Sequence, residues 1–190
     1  MGNELTASKS VDFVLLAADE VCPNSIIADL CPDGDKHSFD LDGSTVHLSS
    51  KHGEPDPAAD WRDAVAKADA FAITVQYVDV ITMDRLKGIY DAVTQQDDKP
   101  FGIFVYRGAG EADYKLSCPH CGQKLWVRDS DVNKRGRCPN CKKAFILPSQ
   151  GDHVRMRLEA DVTIPLASIQ GGNHASIQAA FRSILNGSAS

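Results

Sequence analysis

Four of the six cysteines form two Cys-x-x-Cys pairs, Cys118 with Cys121 and Cys138 with Cys141, sixteen residues apart. Thiolates are soft anionic ligands, and two of them at this spacing reach one side of a metal ion from a single turn. A second such turn supplies the other side, so the pattern predicts a closed four-cysteine site for zinc. Both pairs read Cys-Pro-x-Cys: Pro119 and Pro139 stiffen the turns, and Gly122 offers a position free for positive φ. Four protein ligands leave no open position for a substrate, so the metal is expected to hold the fold, not to catalyse. His120, between two ligands, reads as a solvated turn residue. Cys22 and Cys31 fit no ligand spacing and read as ordinary, partly buried thiols.

Leu125 and Val127 alternate with polar residues after the first pair, and the apolar stretch 144–147 follows the second. Residues 114–148 thus resemble a zinc ribbon, a hairpin module too small to stand without its metal. Between residues 115 and 147 there are eight Lys/Arg and two Asp, a net of +6, which leaves −12 for the rest of a chain whose net charge is −6. Four thiolates with one zinc ion would lower the module to about +4. Lys134, Arg135, Arg137, Lys142 and Lys143 cluster near Trp126. This predicts a protein-docking surface, for an acidic partner, on Trp126, Arg135 and Arg137. Nucleic acid is the alternative, weakened by the acidic body, which repels phosphate at longer range.

The elements around this segment follow from periodicity and punctuation. A chain of 190 residues, 43% hydrophobic, can bury one full core and carry a small module. VDFVLLAA, residues 11–18, is a strand-length run suited to burial on both sheet faces, and a short helix follows over 25–31. Asp42-Gly43 signals a type I′ hairpin that sets Phe39 against Val46 and His37 against Leu48, with His37 and His47 as plain strand residues. Asp56-Pro57 opens a helix bearing Trp61, Val65 and Ala68, and residues 70–78 form the next strand. Thr82 is expected to cap a helix with Met83, Leu86, Ile89, Tyr90 and Val93 on one face. Residues 99–108 form another buried strand. Beyond the cysteine segment, apolar residues at even positions from Val154 to Ile164 predict a half-exposed strand. Asn173 then opens a last helix with Ile177, Phe181, Ile184 and Leu185 inward, ended by Asn186-Gly187.

This order predicts a mixed, mostly parallel α/β sheet flanked by helices. It resembles a Ras-like small GTPase over about residues 10–187, with the ribbon where that family carries a short helix. The early hairpin argues against a receiver-like doubly wound domain. The expected organisation is a disordered tail (1–10), a GTPase-like body (11–113 and 149–187) and the inserted ribbon (114–148).

The resemblance locates the nucleotide elements, and each is degraded. ADEVCPNS, residues 18–25, stands where G-x-x-x-x-G-K-[ST] would cradle phosphate. Ala18 and Pro23 replace the glycines, Asn24 replaces the lysine, and only Ser25 keeps the hydroxyl. Pro23 removes an amide donor, and Asp19 with Glu20 adds negative charge. Ser50-Lys51-His52-Gly53 replaces D-x-x-G, and Tyr106-Arg107-Gly108-Ala109 replaces N-K-x-D; Ala167-Ser168 alone is similar to the S-A-K loop. The reading is a non-catalytic scaffold or protein-interaction module that binds neither GTP nor ATP tightly. An enzyme using a cleft near Asp19, Tyr77, Asp79 and Arg107 is the other class considered. No signal-peptide core or apolar span appears, so the cytoplasm is the expected compartment. Met1 to Thr6 match M-G-x-x-x-[ST], and the expectation is an unlipidated Gly2.

Overall fold

Strand β1 (Lys9–Ala17) runs through the middle of the molecule, and its side chains alternate between two cores. The structure, a computed structural model, describes residues 9–32, 37–53, 59–76, 78, 80–94, 99–108 and 113–187. Phe13 and Leu15 point to one face and Val14 and Leu16 to the other, all at most 1% exposed. A strand apolar at every such position must be covered twice, which places helices on both sides.

The body continues with α1 (Val21–Leu30), β2 (Ser38–Leu41), β3 (Ser44–His52), α2 (Ala59–Lys67), β4 (Ala70–Val75), α3 (Val80–Thr94) and β5 (Phe101–Arg107). Then come β6 (Asp113–Ser117), β7 (Lys124–Arg128), β8 (Arg135–Arg137) and β9 (Ala144–Ile146), and finally α4 (Gln150–Leu158), β10 (Leu166–Gln170) and α5 (His174–Gly187). Six described strands form one sheet in the order β10-β5-β4-β1-β3-β2, parallel throughout except for the β2–β3 hairpin. Helices α1 and α5 cover one face and α2, α3 and α4 the other. The architecture is therefore mixed α/β with a mostly parallel sheet.

The hairpin forms in the expected register, Phe39 against Val46, with Asp42 and Gly43 at φ 50° and 82°. Such positive values at both central residues match the right-handed strand twist. Asn173 caps α5 by accepting the Ser176 N–H at 3.1 Å. Lys99 closes the C-terminal end of α2, its ammonium donating to the carbonyls of Val65, Ala66 and Ala68 at 2.6–2.8 Å.

Four expectations are corrected. Residues 154–164 are not a strand: α4 spans Gln150–Leu158 and a turn leads to β10. Ser149 accepts the Asp152 N–H at 3.0 Å, and Val154 and Leu158, four apart, are the buried pair. Of the other members of the apparent alternation, Met156 and Val162 are 67% and 82% exposed, and only Ala160, in the turn after α4, is also buried. Thr82 lies inside α3, which begins at Val80, and does not cap it. Ala167 and Ser168 pair with Phe104 and Val105 within β10, so they form no loop. Helix α1 also starts earlier than expected, at Val21. Asp56-Pro57, Tyr77, Asp79, Ala109 and the Gly2 motif lie outside the described residues. Among the described residues no helix is long and apolar enough to cross a membrane.

Phe181 on α5 is fully buried and contacts Phe13, Phe39 and Phe104 at ring-centroid distances of 4.6, 5.2 and 5.1 Å. Phe181→Ala should destabilise the body by about 3–5 kcal/mol, read as a shifted urea midpoint. A loss under about 1 kcal/mol would contradict this packing.

Candidate metal centre

Each cysteine pair sits at the tip of its own two-stranded hairpin. Strands β6 and β7 enclose the first, pairing Lys115 with Trp126 and Ser117 with Lys124; β8 and β9 enclose the second, pairing Arg137 with Ala144. The tips repeat one another bond for bond. Gly122 N–H donates to Cys118 O at 2.9 Å and Cys118 N–H to Gln123 O at 2.9 Å; Lys142 to Cys138 and Cys138 to Lys143 do the same at 3.0 Å. Gly122 and Lys142 hold equivalent left-handed positions, φ 72° and 60°. The glycine takes this conformation freely, and the lysine adopts it against its own preference.

The four Sγ atoms lie within 4.8 Å of one another, with Cys118–Cys141 at 3.8 Å and Cys121–Cys138 at 3.7 Å. A tetrahedral ion with metal–sulfur bonds of about 2.3 Å requires sulfur–sulfur edges of about 3.8 Å, so the thiols fit a bound metal. Cys118 and Cys138 are buried, while Cys121 is exposed. Donors already face the sulfurs: His120 N–H lies 3.4 Å from Cys118 Sγ, and Asn140 Nδ2 lies 3.6 Å from Cys121 Sγ. The Gln123 amide, donating to Cys121, holds its pKa down at about 6. At Cys141 the Lys143 amide pulls downward, but desolvation and proton sharing with the other three thiols outweigh it and push the pKa up to about 11. The cluster thus holds its protons unevenly, and a dication would displace them. Cys22 stands apart from this chemistry: burial raises its pKa to about 12.

The module has little core of its own. Apart from Cys118 and Cys138, its buried cluster is Tyr114, Leu116 and Val127, with Leu125, Val132, Phe145 and Leu147 packed against them. It is fastened to the sheet by Arg107 at the end of β5. The Arg107 guanidinium pairs with Asp129 at 2.5 Å, donates from Nε to Gln150 at 2.9 Å and lies 5.4 Å from the Tyr114 ring centre. Gln150 continues to the Gln76 carbonyl at 3.1 Å, and the Tyr114 hydroxyl donates to the Pro148 carbonyl. Sequence reasoning missed Tyr114, Asp129 and Gln150 as fasteners, since they are far apart in the chain and no spacing rule joins them.

The candidate docking residues sit on the module's outside. Trp126 is 69% exposed, with Lys115 Nζ 4.4 Å from its ring centre. This pair was legible in principle: counting outward from the first cysteine turn sets Lys115 opposite Trp126. Arg135 and Arg137 are exposed on β8, and His120 is exposed beside Phe145, their ring centres 6.4 Å apart.

Asp19 reaches a different place. Its Oδ1 accepts the N–H groups of Val21 and Cys22, at 3.0 and 3.4 Å, at the N-terminus of α1. The Ser25 hydroxyl donates to Val21 O at 2.8 Å inside the same helix. Asp19 and Arg107 are therefore each engaged in the fold. No family model matches the chain, and no curated protein matches it.

Cys138→Ser should abolish stoichiometric metal while leaving most of the helical circular-dichroism signal, because the described helices lie outside the two hairpins. Metal affinity should fall by more than the roughly 10–100-fold that an outer-shell change costs. It should also weaken as pH falls, since protons compete for the thiolates. Full metal retention in that variant, measured by elemental analysis, would remove these four residues as the site.

Proposed function

We propose that the protein is a non-catalytic scaffold: a Ras-like body that binds no nucleotide, carrying a zinc ribbon that docks a protein partner. The observation that carries the reading is the Asp19 carboxylate on the first amides of α1. A helix N-terminus attracts phosphate through free amides and the aligned peptide dipole. Here a fixed carboxylate already accepts from two amides and adds repulsion for any triphosphate. Pro23 supplies no donor, Asn24 supplies no cation, and Ser25 turns its hydroxyl into the helix.

The Ras-like assignment is supported by the element order and by the single antiparallel hairpin in an otherwise parallel sheet. At the end of β5, where guanine would be read, Arg107 holds Asp129 and Gln150 instead. That engagement also weighs against an enzyme built on Arg107 and Asp19. Zinc is the metal that closed four-thiolate sites of this spacing favour. The docking role is supported by a basic module on an acidic body, with Trp126, Arg135 and Arg137 outward.

Calorimetry of the metal-loaded protein should detect no binding of GTP, GDP or ATP. A dissociation constant at or below about 1 μM, roughly −8 kcal/mol, would end the nucleotide-free reading. Elemental analysis should give one zinc per chain. Reversing the charges of Arg135 and Arg137 should weaken partner capture in a pull-down; partners equally retained by that variant would place docking elsewhere.

A further inference from the structure

Between the two hairpins lies a slot of about 350 Å³ that the cysteine chemistry does not use. Gly136, Phe145 and Leu147 form part of its lining, and Lys124, Trp126 and Arg137 stand around it. Gly136 makes room for Leu147 in this lining: an added Cβ there would come within 3.1 Å of the Leu147 side chain. Strand β7 pairs with β6 on one edge, and among the described residues its other edge pairs with no strand. Unpaired strand backbone is a ready track for an extended peptide.

The charged residues that line this slot are both cations, Lys124 and Arg137. Asp129 and Asp131, the two carboxylates between the cysteine pairs, are held by Arg107 and Lys134. Lys124 and Arg137, the charged residues of the lining, and Lys115 beside Trp126 form no ion pair among the described residues, while Arg128 stands opposite Asp113 in the β6–β7 ladder, away from the lining. Lys115 lies over the Trp126 ring at 4.4 Å, so a cation already covers part of the surface on which a base would stack. An apolar side chain in the slot, with carboxylates beside it, satisfies both the lining and the rim.

We infer that this face takes an extended acidic peptide segment of a partner protein, which seats one apolar side chain in the slot between β7 and β8. The inference rests on the protein-docking reading above and names the chemistry of that partner. The apolar anchor supplies the buried contact, and the surrounding cations set orientation and speed of encounter.

The test uses the full zinc-loaded chain and two fluorescein-labelled probes: a short peptide of Asp and Glu around one central Phe, and the same peptide with Ser at the centre. Anisotropy at low salt should show the Phe peptide bound at least about ten-fold more tightly than the Ser peptide. Trp126→Ala and Arg137→Glu, each checked for retained zinc, should each weaken the Phe peptide by a similar factor. Should Trp126→Ala lose its metal, Lys124→Glu replaces it, with the same expectation. Equal binding of the two peptides would overturn the slot while leaving acidic docking intact. Binding of neither would overturn both the slot and the acidic-partner reading. A short oligothymidylate that binds more tightly than the Phe peptide and competes with it would overturn the inference in favour of nucleic acid.

Discussion

A guanidinium largely withdrawn from water needs acceptors for its donors and a counter-charge for its cation. The Arg107 side chain, 14% exposed, finds both only by drawing in the segment that follows it: Asp129 balances the charge, Gln150 accepts from Nε, and Tyr114 presents its ring. Three separate elements, β6, the short 3-10 turn Asp129–Asp131 and α4, are thereby fixed against the end of β5. Gln150 passes the connection to the carbonyl of Gln76, beyond β4. A module whose buried cluster is three residues, Tyr114, Leu116 and Val127, could not hold its orientation by hydrophobic burial alone. The backbone hydrogen bonds of the two cysteine turns shape each hairpin tip, and the contacts of Arg107 decide where the pair of hairpins points.

The same economy of groups operates at α1. Aligned peptide dipoles make any helix start electropositive, and some acceptor must answer the free amides. Asp19 does so from two residues away, in the loop itself, so the acceptor is covalently supplied and permanently present. An external anion would have to displace a carboxylate held at effectively high local concentration and then sit beside its charge. On the Ras-like reading, such a change inactivates a phosphate loop more firmly than loss of the lysine does, because it substitutes a competitor for a contact.

What could be read from the sequence depended on whether a signal was local. The cysteine pairs, the Asp42-Gly43 turn and the doubly buried β1 are each specified within a few residues, and each forms as expected. Residues 154–164 were misread because six apolar residues at even positions imitate a strand, whereas only Val154, Leu158 and Ala160 are buried. The Ser149 and Asp152 cap was the contrary signal, and three residues of capping outweigh a longer but half-exposed alternation. The role of Arg107 was not legible at all. Its partners lie seven to forty-three positions away, and only the folded sheet brings them to one end.

Charge segregation in the chain now has a physical explanation. The two carboxylates between the cysteine pairs are consumed internally, Asp129 by the body and Asp131 by Lys134. The Asp131–Lys134 pair cancels within the module, whereas Asp129 is balanced by a cation of the body, so the fastening that fixes the hairpins leaves the module's other lysines and arginines less compensated. Their field has meaning only while the hairpins hold their shape, since cations on a loose segment are screened and average out over its conformers. With so little buried surface to hold them, the hairpins keep their shape through the contacts of Arg107, and a metal held by the four thiols would add a second constraint. A metal bound at the cysteine tips would therefore be coupled to presentation of the basic face through the fold of the module itself, without any contact between the ion and the basic residues.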